Sequence, residues 1–599
     1  MTALDSRPAG ADAPLSDDMP EPVHADGMRI LWDAPIPMRD GVVMRADIFL
    51  PQAEGRYAAL ISYGAYGKGV PMQVGYKSQY DRMVAAYPEI AEGSTNKYMN
   101  WEVADPEKWV TDGFICIRVD SRGAGRSPGL LDPTSEQETL DIYDCIEWAA
   151  AQPWSNGKVG MNGISYYATN QLKVAALRPP HLAAICVWEG FVDAYRDASR
   201  HGGILSQFGA GWFDRQVLKI QHGWGDRGGR NPNNGELVSG PVTLSEAELE
   251  ANRAPKMTDA VLTHPLDDDF YAPRKPDVSR IEVPLLSAAN WGGMGVHPRG
   301  NFEGYLDAGS RQKWLEVHGD SHFSPFYRNE GLALQKRFLG HFLQGKDTGW
   351  DKQPPVQLQI RRPGEHFTIR DEQEWPLART QWTRYYLDPS SHALTTERSA
   401  GVGASLSYST TDDGVTFTLP PSDEEVEITG PVAARLVVSS ETADADLFLA
   451  LRLFAPDGKE VLFVGSNDPR VPIGLGWLRA SHRKLDPAKT LSYRPYHSHD
   501  EIQPLTPGEP VVLDIEILPT SIVVPAGYTF ALNIRGCDYD HGLGDTGLPD
   551  QPYPMTGVGP FRHADPRDRP PEVFNGRNTL HFEPGQEPFL LLPIIPKAD

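Results

Sequence analysis

One short stretch carries a residue that could act as a nucleophile. The sequence GISYY at 163–167 partly matches the pattern G-x-S-x-G, with a tyrosine where the last glycine is expected. A serine hydroxyl attacks a carbonyl only when a histidine takes its proton, a third group orients that histidine and donors hold the oxyanion. Ser165 follows an apolar run and precedes a helical pattern, which predicts a strand, a tight turn and a helix. In that context the backbone N–H of Tyr166 points to where negative charge develops.

A histidine far downstream is the predicted base. His322 follows the last predicted strand of the sheet, and in α/β-hydrolases the chain order is nucleophile, acid and then histidine. His318 is interpreted as a structural residue at the strand end. His201-Gly202-Gly203 is similar to the H-G-G oxyanion motif of lipases but follows the nucleophile, so it is interpreted as cap structure. The alternative for Ser165 is a serine that merely forms a turn or caps a helix.

Six continuous apolar runs predict the strands of a mostly parallel sheet. Strands that helices cover on both faces are apolar throughout rather than alternating. Between two of the runs, Ser135-x-x-Glu138 forms a capping box that predicts the start of a helix with a buried apolar stripe. The runs are 58–62, 114–119, 158–161, 183–188, 284–289 and 313–317.

Changes in this pattern predict the domain boundaries. The strand–helix alternation fails after the fourth run, which indicates helices and loops inserted as a cap over the strand ends. Near Gln353 a third pattern begins, with apolar residues that alternate along short runs such as 447–454, as in a β-sandwich or jelly roll. The predicted units are a disordered segment 1–25, an α/β core 26–190 and 279–352, a helical cap 191–278 and a β-sandwich 353–599.

Composition excludes several functions. A net charge of −24 gives no basic face for a nucleic acid, and no apolar run is long enough to span a membrane. The N-terminal residues lack the apolar region of a secretory signal, and the 4 cysteines lack C-x-x-C spacing, so a cytoplasmic protein with free thiols is predicted. No metal-site or nucleotide-binding motif is present, and we expect neither a metal nor another cofactor. The sequence does not determine the oligomeric state, and a homo-oligomer is one of the alternatives.

Several independent motifs resemble the cocaine-esterase and X-prolyl dipeptidyl-peptidase family of serine hydrolases. In that family the serine motif is G-x-S-Y-x-G, which Tyr166 fits, and Ala168 replaces the last glycine. The resemblance implies an α/β-hydrolase fold with a doubly wound sheet and an inserted helical cap, followed by an all-β jelly-roll domain. It also implies a tyrosine hydroxyl as second oxyanion donor, at Tyr66 in SYGAYGKG, with Tyr63 as the fallback. The similar stretches are 37–51, 120–129, 153–166, 319–323, 444–465 and 476–484.

The resemblance fails at the triad acid. The family's acid lies in a G-W-x-D loop, and the matching stretch 290–293 has Gly293 where the aspartate belongs. Glu189, at the end of the preceding core strand, is the first candidate to replace it, although it could equally pair with Arg196 or Arg200. Asp193 is second, Asp320 third, and Glu303 ranks below them. Loss of the orienting acid would leave a slow esterase or an acyl transferase.

A serine hydrolase is therefore predicted, with an ester as the preferred substrate and an amide or peptide as the alternative. Aromatic residues in the cap and the following loop indicate an apolar acyl group: Trp212, Phe213, Trp224 and Trp291. An X-prolyl aminopeptidase would need a carboxylate pair in the cap, for which Asp214 and Glu250 are the candidates. A binding protein with a decayed site is the alternative of another class, favoured by Gly293.

Overall fold

Two large β-sheets organise the protein. The computed structural model describes residues 15–398, 403–547 and 552–597. The strands of the first part of the chain are β1 (Val23–Ala25), β2 (Met28–Pro37), β3 (Val43–Pro51), β4 (Tyr57–Gly64), β5 (Phe114–Asp120), β6 (Ser155–Ile164), β7 (Leu182–Trp188), β8 (Arg200–His201), β9 (Ile204–Leu205), β10 (Leu285–Asn290), β11 (Lys313–His318), β12 (Val356–Arg362) and β13 (His366–Glu372). The first sheet follows the order β1-β2-β3-β5-β4-β6-β7-β10-β11-β12-β13, and β8 pairs with β9 outside it.

The centre of the first sheet is parallel, as the continuous apolar runs predict. Neighbouring strands from β5 to β12 pair in parallel, and the outer strands β1 to β3 and β13 are antiparallel. Each of the six runs lies within one of the parallel strands β4, β5, β6, β7, β10 and β11 or begins one residue before it. Every residue of β5 is buried, because apolar side chains pack on both faces of a strand that is covered on both sides.

Helices cover the sheet and link its strands. The helix that follows β5 begins at Ser135, whose hydroxyl accepts a hydrogen bond from the Glu138 N–H at 3.2 Å, and it buries the predicted stripe. The α-helices are α1 (Met72–Gly75), α2 (Lys77–Ala86), α3 (Pro106–Trp109), α4 (Glu136–Ala151), α5 (Tyr166–Ala175), α6 (Phe208–Trp212), α7 (Glu246–Ala251), α8 (Met257–Thr263), α9 (Pro298–Asp307), α10 (Ser324–Tyr327), α11 (Asn329–Gln344) and α12 (Pro571–Phe574).

The segment between β7 and β10 contains short helices and the β8–β9 hairpin rather than sheet strands. Its regular elements include α6, α7, α8 and two π-helices, Ala194–Ser199 and Phe213–Val217. Phe208 and Trp212 of α6 line the same cavities as Ser165, so this part of the chain lies over the carboxyl ends of the parallel strands. The boundaries 191–278 stay a prediction.

Two ends of the predicted core differ from the sequence analysis. Residues 356–372, assigned there to the β-sandwich, form β12 and β13 and complete the first sheet. Buried and partly buried side chains alternate along β12 because it lies near one end of the sheet, next to the edge strand β13, where one face is less completely covered. At the other end, Val23–Ala25 is not disordered but pairs with β2, and residues 1–14 lie outside the described part of the chain.

An antiparallel β-domain completes the chain, as expected from the alternating runs. Leu447, Leu449, Leu451 and Leu453 of one strand face the core of this domain. The intervening Phe448 belongs instead to a cluster shared with the first domain. The strands are β14 (Gln381–Leu387), β15 (Leu394–Thr395), β16 (Ala404–Ser409), β17 (Val415–Leu419), β18 (Val426–Ser440), β19 (Asp446–Phe454), β20 (Gly474–Arg479), β21 (Val511–Val524), β22 (Thr529–Arg535), β23 (Arg577–Phe582) and β24 (Phe589–Ile595).

No helix in the described ranges combines the length and the hydrophobicity that a bilayer crossing requires. Cys116, Cys145 and Cys186 are buried free thiols, and Cys537 is a partly exposed one.

Buried histidines are concentrated where the two domains meet. Burial lowers the pKa of His201 and of His482 to about 3 and that of His497 to about 4, and it holds the pKa of His499 well below its usual range. His482 and His499 are in contact through their Nδ1 atoms at 3.1 Å. At neutral pH these rings are therefore uncharged in the folded protein.

The variant His497→Gln tests whether this buried neutral ring makes the protein less stable in acid. Above pH 6.5 the histidine is neutral in both states, and below it the unfolded chain binds a proton that the folded chain excludes. Between pH 7.5 and 5.5 the wild-type free energy of unfolding should therefore fall by about 1 kcal/mol more than that of the variant. Urea unfolding at both pH values measures this difference. The exposed His366→Gln is the control, and equal pH dependence of wild type and His497→Gln would contradict the prediction.

Candidate active site

Ser165 lies on a sharp turn between β6 and α5. Its backbone has φ 58° and ψ −114°, a conformation that a side-chain-bearing residue adopts only when the surroundings impose it. The Ser165 N–H donates to the carbonyl of Trp188 at 3.0 Å, which ties the turn to the end of β7. Tyr166 is the first residue of α5, so its N–H has no acceptor within the helix. This is the strand–turn–helix arrangement of a nucleophile elbow.

The imidazole that reaches Ser165 belongs to His297. Its Nε2 lies 3.0 Å from the serine Oγ, and the ring is buried just before α9 begins. Burial lowers the pKa of His297 to about 4. The ring is therefore neutral at pH 7 and can accept the serine proton. The sequence analysis missed His297, although the rule of chain order also admits a histidine in the loop after β10.

His322, the predicted base, does not contact Ser165. Its Nδ1 is 2.8 Å from Glu189 Oε2 and its Nε2 is 2.8 Å from Glu102 Oε1, so each ring nitrogen is hydrogen-bonded to a carboxylate. Burial favours the neutral ring, but the two carboxylates raise the pKa of His322 to about 10. The ring stacks on His297 with centroids 5.0 Å apart and planes 9° apart. His322 follows β11 as predicted, but its side chain points to Glu189 and Glu102 rather than to Ser165.

Glu189, the first candidate for the acid, lies at the centre of the cluster. It follows β7 directly, with φ 49°. Its Oε2 accepts from His322 at 2.8 Å and from the Ser466 hydroxyl at 3.0 Å, and it lies 3.6 Å from His297 Nδ1. Its Oε1 accepts from Asn290 at 3.1 Å. Burial favours the neutral acid, but the charge on His322 and the hydrogen bonds from nearby histidines hold the pKa of Glu189 well below its usual range.

Neither arginine that could have neutralised Glu189 does so. Arg196 pairs with Asp193 at 2.7 Å, and Arg200 pairs with Asp568 at 2.7 Å.

A third histidine also contacts Glu189. His318 Nε2 lies 3.4 Å from Glu189 Oε1. Burial opposes its charge, but Glu316 and Glu189 raise the pKa of His318 to about 9.

The other acid candidates are bound elsewhere. Asp193 caps the π-helix Ala194–Ser199 and pairs with Arg196. Asp320 accepts a hydrogen bond from the Tyr87 hydroxyl, and Glu303 pairs with Arg494. None of these three carboxylates forms an ion pair or a hydrogen bond with an active-site histidine among the described residues.

A loop of the second domain occupies the place of the missing aspartate. A Cβ at Gly293 would lie 2.9 Å from Ser466 Oγ, so a side chain there would displace this serine. The Ser466 N–H donates to the Gly292 carbonyl at 3.1 Å, and its carbonyl accepts from the His322 N–H at 3.1 Å. The serine hydroxyl bonds Glu189 in turn. Glycine at 293 thus accommodates a residue of the second domain that supports the carboxylate supplied by Glu189.

Tyr66 lines both cavities that meet at Ser165. Its oxygen accepts a hydrogen bond from Trp212 Nε1 at 2.8 Å, which leaves the phenol proton for another acceptor. Burial and the nearby Glu102 hold the pKa of Tyr66 well above its usual range, so the hydroxyl stays protonated. Tyr63, the fallback, accepts instead from the Arg122 N–H at 3.0 Å, away from this site.

The two cavities differ in chemistry. One of about 70 Å³ is lined by aromatic and aliphatic side chains, among them Tyr166, Phe191, Trp212 and Val296. The other, of about 570 Å³, has both polar and apolar walls and includes His297 and His322. Of the four aromatic residues singled out in the sequence, only Trp212 lines a cavity at Ser165; Trp291, for example, is buried and donates to the Gln359 carbonyl at 2.8 Å.

Glu189, His297 and His322 could also hold a metal ion. Their ligand atoms lie within 4.8 Å of one another and all three residues are buried. A cation would have to displace the proton of His322 and the contact between His297 and Ser165. The expectation that the protein needs no metal stays a prediction.

Comparison with solved structures identifies the family. A CocE/NonD family hydrolase from Staphylococcus aureus is 30% identical, with a TM-score of 0.80 over 95% of this chain and 94% of that chain. This chain belongs to that family of hydrolases. Family models described as X-Pro dipeptidyl-peptidase (S15 family) and as the X-Pro dipeptidyl-peptidase C-terminal non-catalytic domain match residues 40–324 and 348–591 of this CocE/NonD hydrolase.

Further relatives agree with this assignment. Cocaine esterase from Rhodococcus sp. is 24% identical over 94% of this chain and 97% of its own length. A solved α-amino acid ester hydrolase, 16% identical, covers 99% of this chain and 100% of its own with a TM-score of 0.64, which shows a shared fold. The protein is therefore a serine hydrolase of the CocE/NonD family, with the α/β-hydrolase and jelly-roll architecture inferred from its sequence.

Restoring the family's aspartate with Gly293→Asp should damage this CocE/NonD hydrolase. The side chain would collide with Ser466 and bring a second carboxylate beside Glu189, so we expect a loss of about 1–3 kcal/mol in stability and no gain in kcat. Thermal melting and turnover of a nitrophenyl ester measure both. Gly293→Asp combined with Ser466→Gly removes the colliding hydroxyl and should recover part of the lost stability, with Ser466→Gly alone as the control. A Gly293→Asp variant of higher stability and activity would refute this account of the loop.

Proposed function

We propose that the protein hydrolyses carboxylic esters through an acyl-enzyme on Ser165, with His297 as base and Glu189 as the orienting acid. The observation that carries the proposal is the 3.0 Å contact between a neutral imidazole and the serine Oγ on a nucleophile elbow. The chain order Ser165, Glu189, His297 is that of α/β-hydrolases. His322, the base predicted from the sequence, receives a different role.

Proton transfer follows from this geometry. His297 Nε2 takes the Ser165 proton as Oγ attacks the ester carbonyl, and the imidazolium then protonates the departing alkoxide. The 3.6 Å separation between His297 Nδ1 and Glu189 shortens when the ring becomes charged, because the carboxylate then faces a cation. Water attacks the acyl-enzyme with His297 again as base.

The oxyanion donors are the Tyr166 N–H and the Tyr66 hydroxyl. The Tyr166 N–H has no hydrogen-bond acceptor within its helix because Tyr166 is the first helical residue. Trp212 donates a hydrogen bond to the Tyr66 oxygen and so orients it. The side chain of Tyr166 points away from the reaction, since its hydroxyl bonds the buried Glu138. An N–H and an O–H that the fold already holds in place stabilise the developing charge without reorganisation.

His322 is a positioning residue in this proposal. Its charge keeps Glu189 ionised and, through the stacked ring, disfavours a proton on His297 before substrate arrives. Glu102 holds the far side of the ring and so fixes its orientation.

The small cavity is the proposed site of an apolar acyl group. It meets Ser165 beside Tyr66 and Tyr166, and its apolar walls would bind a hydrocarbon chain or ring. An amide with the same acyl group is the second candidate substrate. An X-prolyl aminopeptidase receives less support, because the proposed ammonium ligands Asp214 and Glu250 do not line the cavity at Ser165. A cytoplasmic location remains part of the proposal, supported by the free cysteines.

Variants of the histidines distinguish the two candidate bases. Ser165→Ala should abolish labelling by a fluorophosphonate, and His297→Gln should lower kcat by about 10⁴-fold or more, as should Glu189→Gln by roughly 10⁴-fold. His322→Gln should keep slow labelling of Ser165. Thermal melting of each variant checks folding. Labelling that survives in His297→Gln but disappears in a folded His322→Gln would refute the assignment, and wild-type protein without labelling would support a binding protein instead.

The pH profile tests the same roles without mutation of the base. The kcat/KM for a neutral ester should rise with pH through about 4, as His297 loses its proton, and fall near pH 10 as His322 loses its own. Chromatographic quantification of the released alcohol measures it across this range, because a carboxylic acid product stays largely protonated near pH 4. His322→Gln should move the acid limb to higher pH, since a nearby positive charge is removed. Wild-type activity that appears only as the pH approaches 10 would mean that His322 is the base.

A further inference from the structure

The large cavity at Ser165 contains positive charge without a partner. Arg82, Arg215 and Lys219 line it, and within residues 15–398, 403–547 and 552–597 none of the three forms an ion pair with a carboxylate. The protein as a whole has a net charge of −24, so such a group is opposite to the general surface. Unpaired cations around a cavity attract an anionic ligand.

The acidic groups of the same cavity are already bound. Glu102 is bonded to His322, and Asp320 accepts from the Tyr87 hydroxyl. Asp468 accepts from two backbone N–H groups at 2.9 Å, those of Gly557 and Gly559. The charge left available to a ligand is therefore positive.

Arg215 is held in place for such a ligand. Its guanidinium lies 5.2 Å from the ring centroid of Tyr553 and packs against Gly211, where a Cβ would lie 2.4 Å from Nη1. The neighbouring Asp214 pairs with Lys256 at 3.7 Å rather than with Arg215. A guanidinium fixed on an aromatic ring presents a planar fork of donors that matches a carboxylate.

The position of His297 tells which part of the substrate meets these cations. In the function proposed above, on which this step depends, His297 protonates the departing alkoxide, so the alcohol portion must lie on the side of that ring. His297 lines the large cavity and is absent from the lining of the small apolar one. The alcohol portion therefore occupies the cavity that holds the three cations.

We infer that the preferred substrates are esters whose alcohol portion carries an anionic group, such as a carboxylate, bound by Arg215 together with Lys219 and Arg82. Each cation is partly or fully exposed, so the effect of each on kcat/KM should be about two- to fivefold at low salt. The preference should weaken as ionic strength rises.

Three phenyl acetates test this inference: 4-nitrophenyl acetate, its ring-carboxylated analogue 3-carboxy-4-nitrophenyl acetate and the cationic 3-(trimethylammonio)phenyl acetate. After correction for their rates with hydroxide, the carboxylated ester should have the highest kcat/KM and the ammonium ester the lowest. Arg215→Gln should lower kcat/KM for the carboxylated ester about two- to fivefold and leave the uncharged ester within twofold. The triple variant with Lys219→Gln and Arg82→Gln should lose at least tenfold.

The matched control is Arg311→Gln, which removes an exposed arginine that does not line the cavity. It should change none of the three rates. The inference is overturned if the wild type prefers the ammonium ester or shows no preference, or if Arg215→Gln slows charged and uncharged esters equally. Turnover of 4-nitrophenyl acetate and labelling of Ser165 persist in those cases, whereas their absence in the wild type would instead overturn the proposed function.

Discussion

The candidate active site depends on keeping one buried carboxylate ionised. Glu189 has no exposed surface, and transfer of an isolated carboxylate into such a place would neutralise it. Charged His322 and the donors Ser466, Asn290 and His318 prevent this. Those donors come from different strand ends and from the second domain, so the charge state of one residue requires the whole assembly.

The same arrangement gives two neighbouring histidines different charges at neutral pH. His297 and His322 are stacked and both are buried, yet burial lowers the pKa of the first to about 4, whereas carboxylates on both sides raise that of the second to about 10. A proton acceptor must be neutral and a counter-charge must be ionised, and one ring cannot be both at the same pH. In our proposal this division lets His297 react while His322 stays charged.

The second domain is part of the site rather than an appendage. Its loop at Ser466 fills the position opened by Gly293 and bonds Glu189, and the backbone of the loop also holds His322. This arrangement explains why a glycine replaces the aspartate expected from the family motif without leaving the cluster short of a carboxylate. The domains also share buried neutral histidines, so their association should be sensitive to acid.

Local pattern in the sequence was enough to determine the parallel strands, the turn at Ser165, the helix from Ser135 and the alternating β-domain, because apolar periodicity and capping act over a few residues. Once the resemblance showed Gly293 at the usual position of the acid, Glu189 ranked first because a neighbouring strand end can present a carboxylate to the same histidine, and its role as the acid stays a proposal. Which of His297 and His322 contacts Ser165 was decided by tertiary structure alone. Both follow strands of the sheet, and only packing determines which ring meets Ser165 and which is enclosed by Glu189 and Glu102. Glu102 and Ser466 could not be found from the sequence for the same reason: they reach the cluster from a distant loop and from another domain, through contacts that no spacing records.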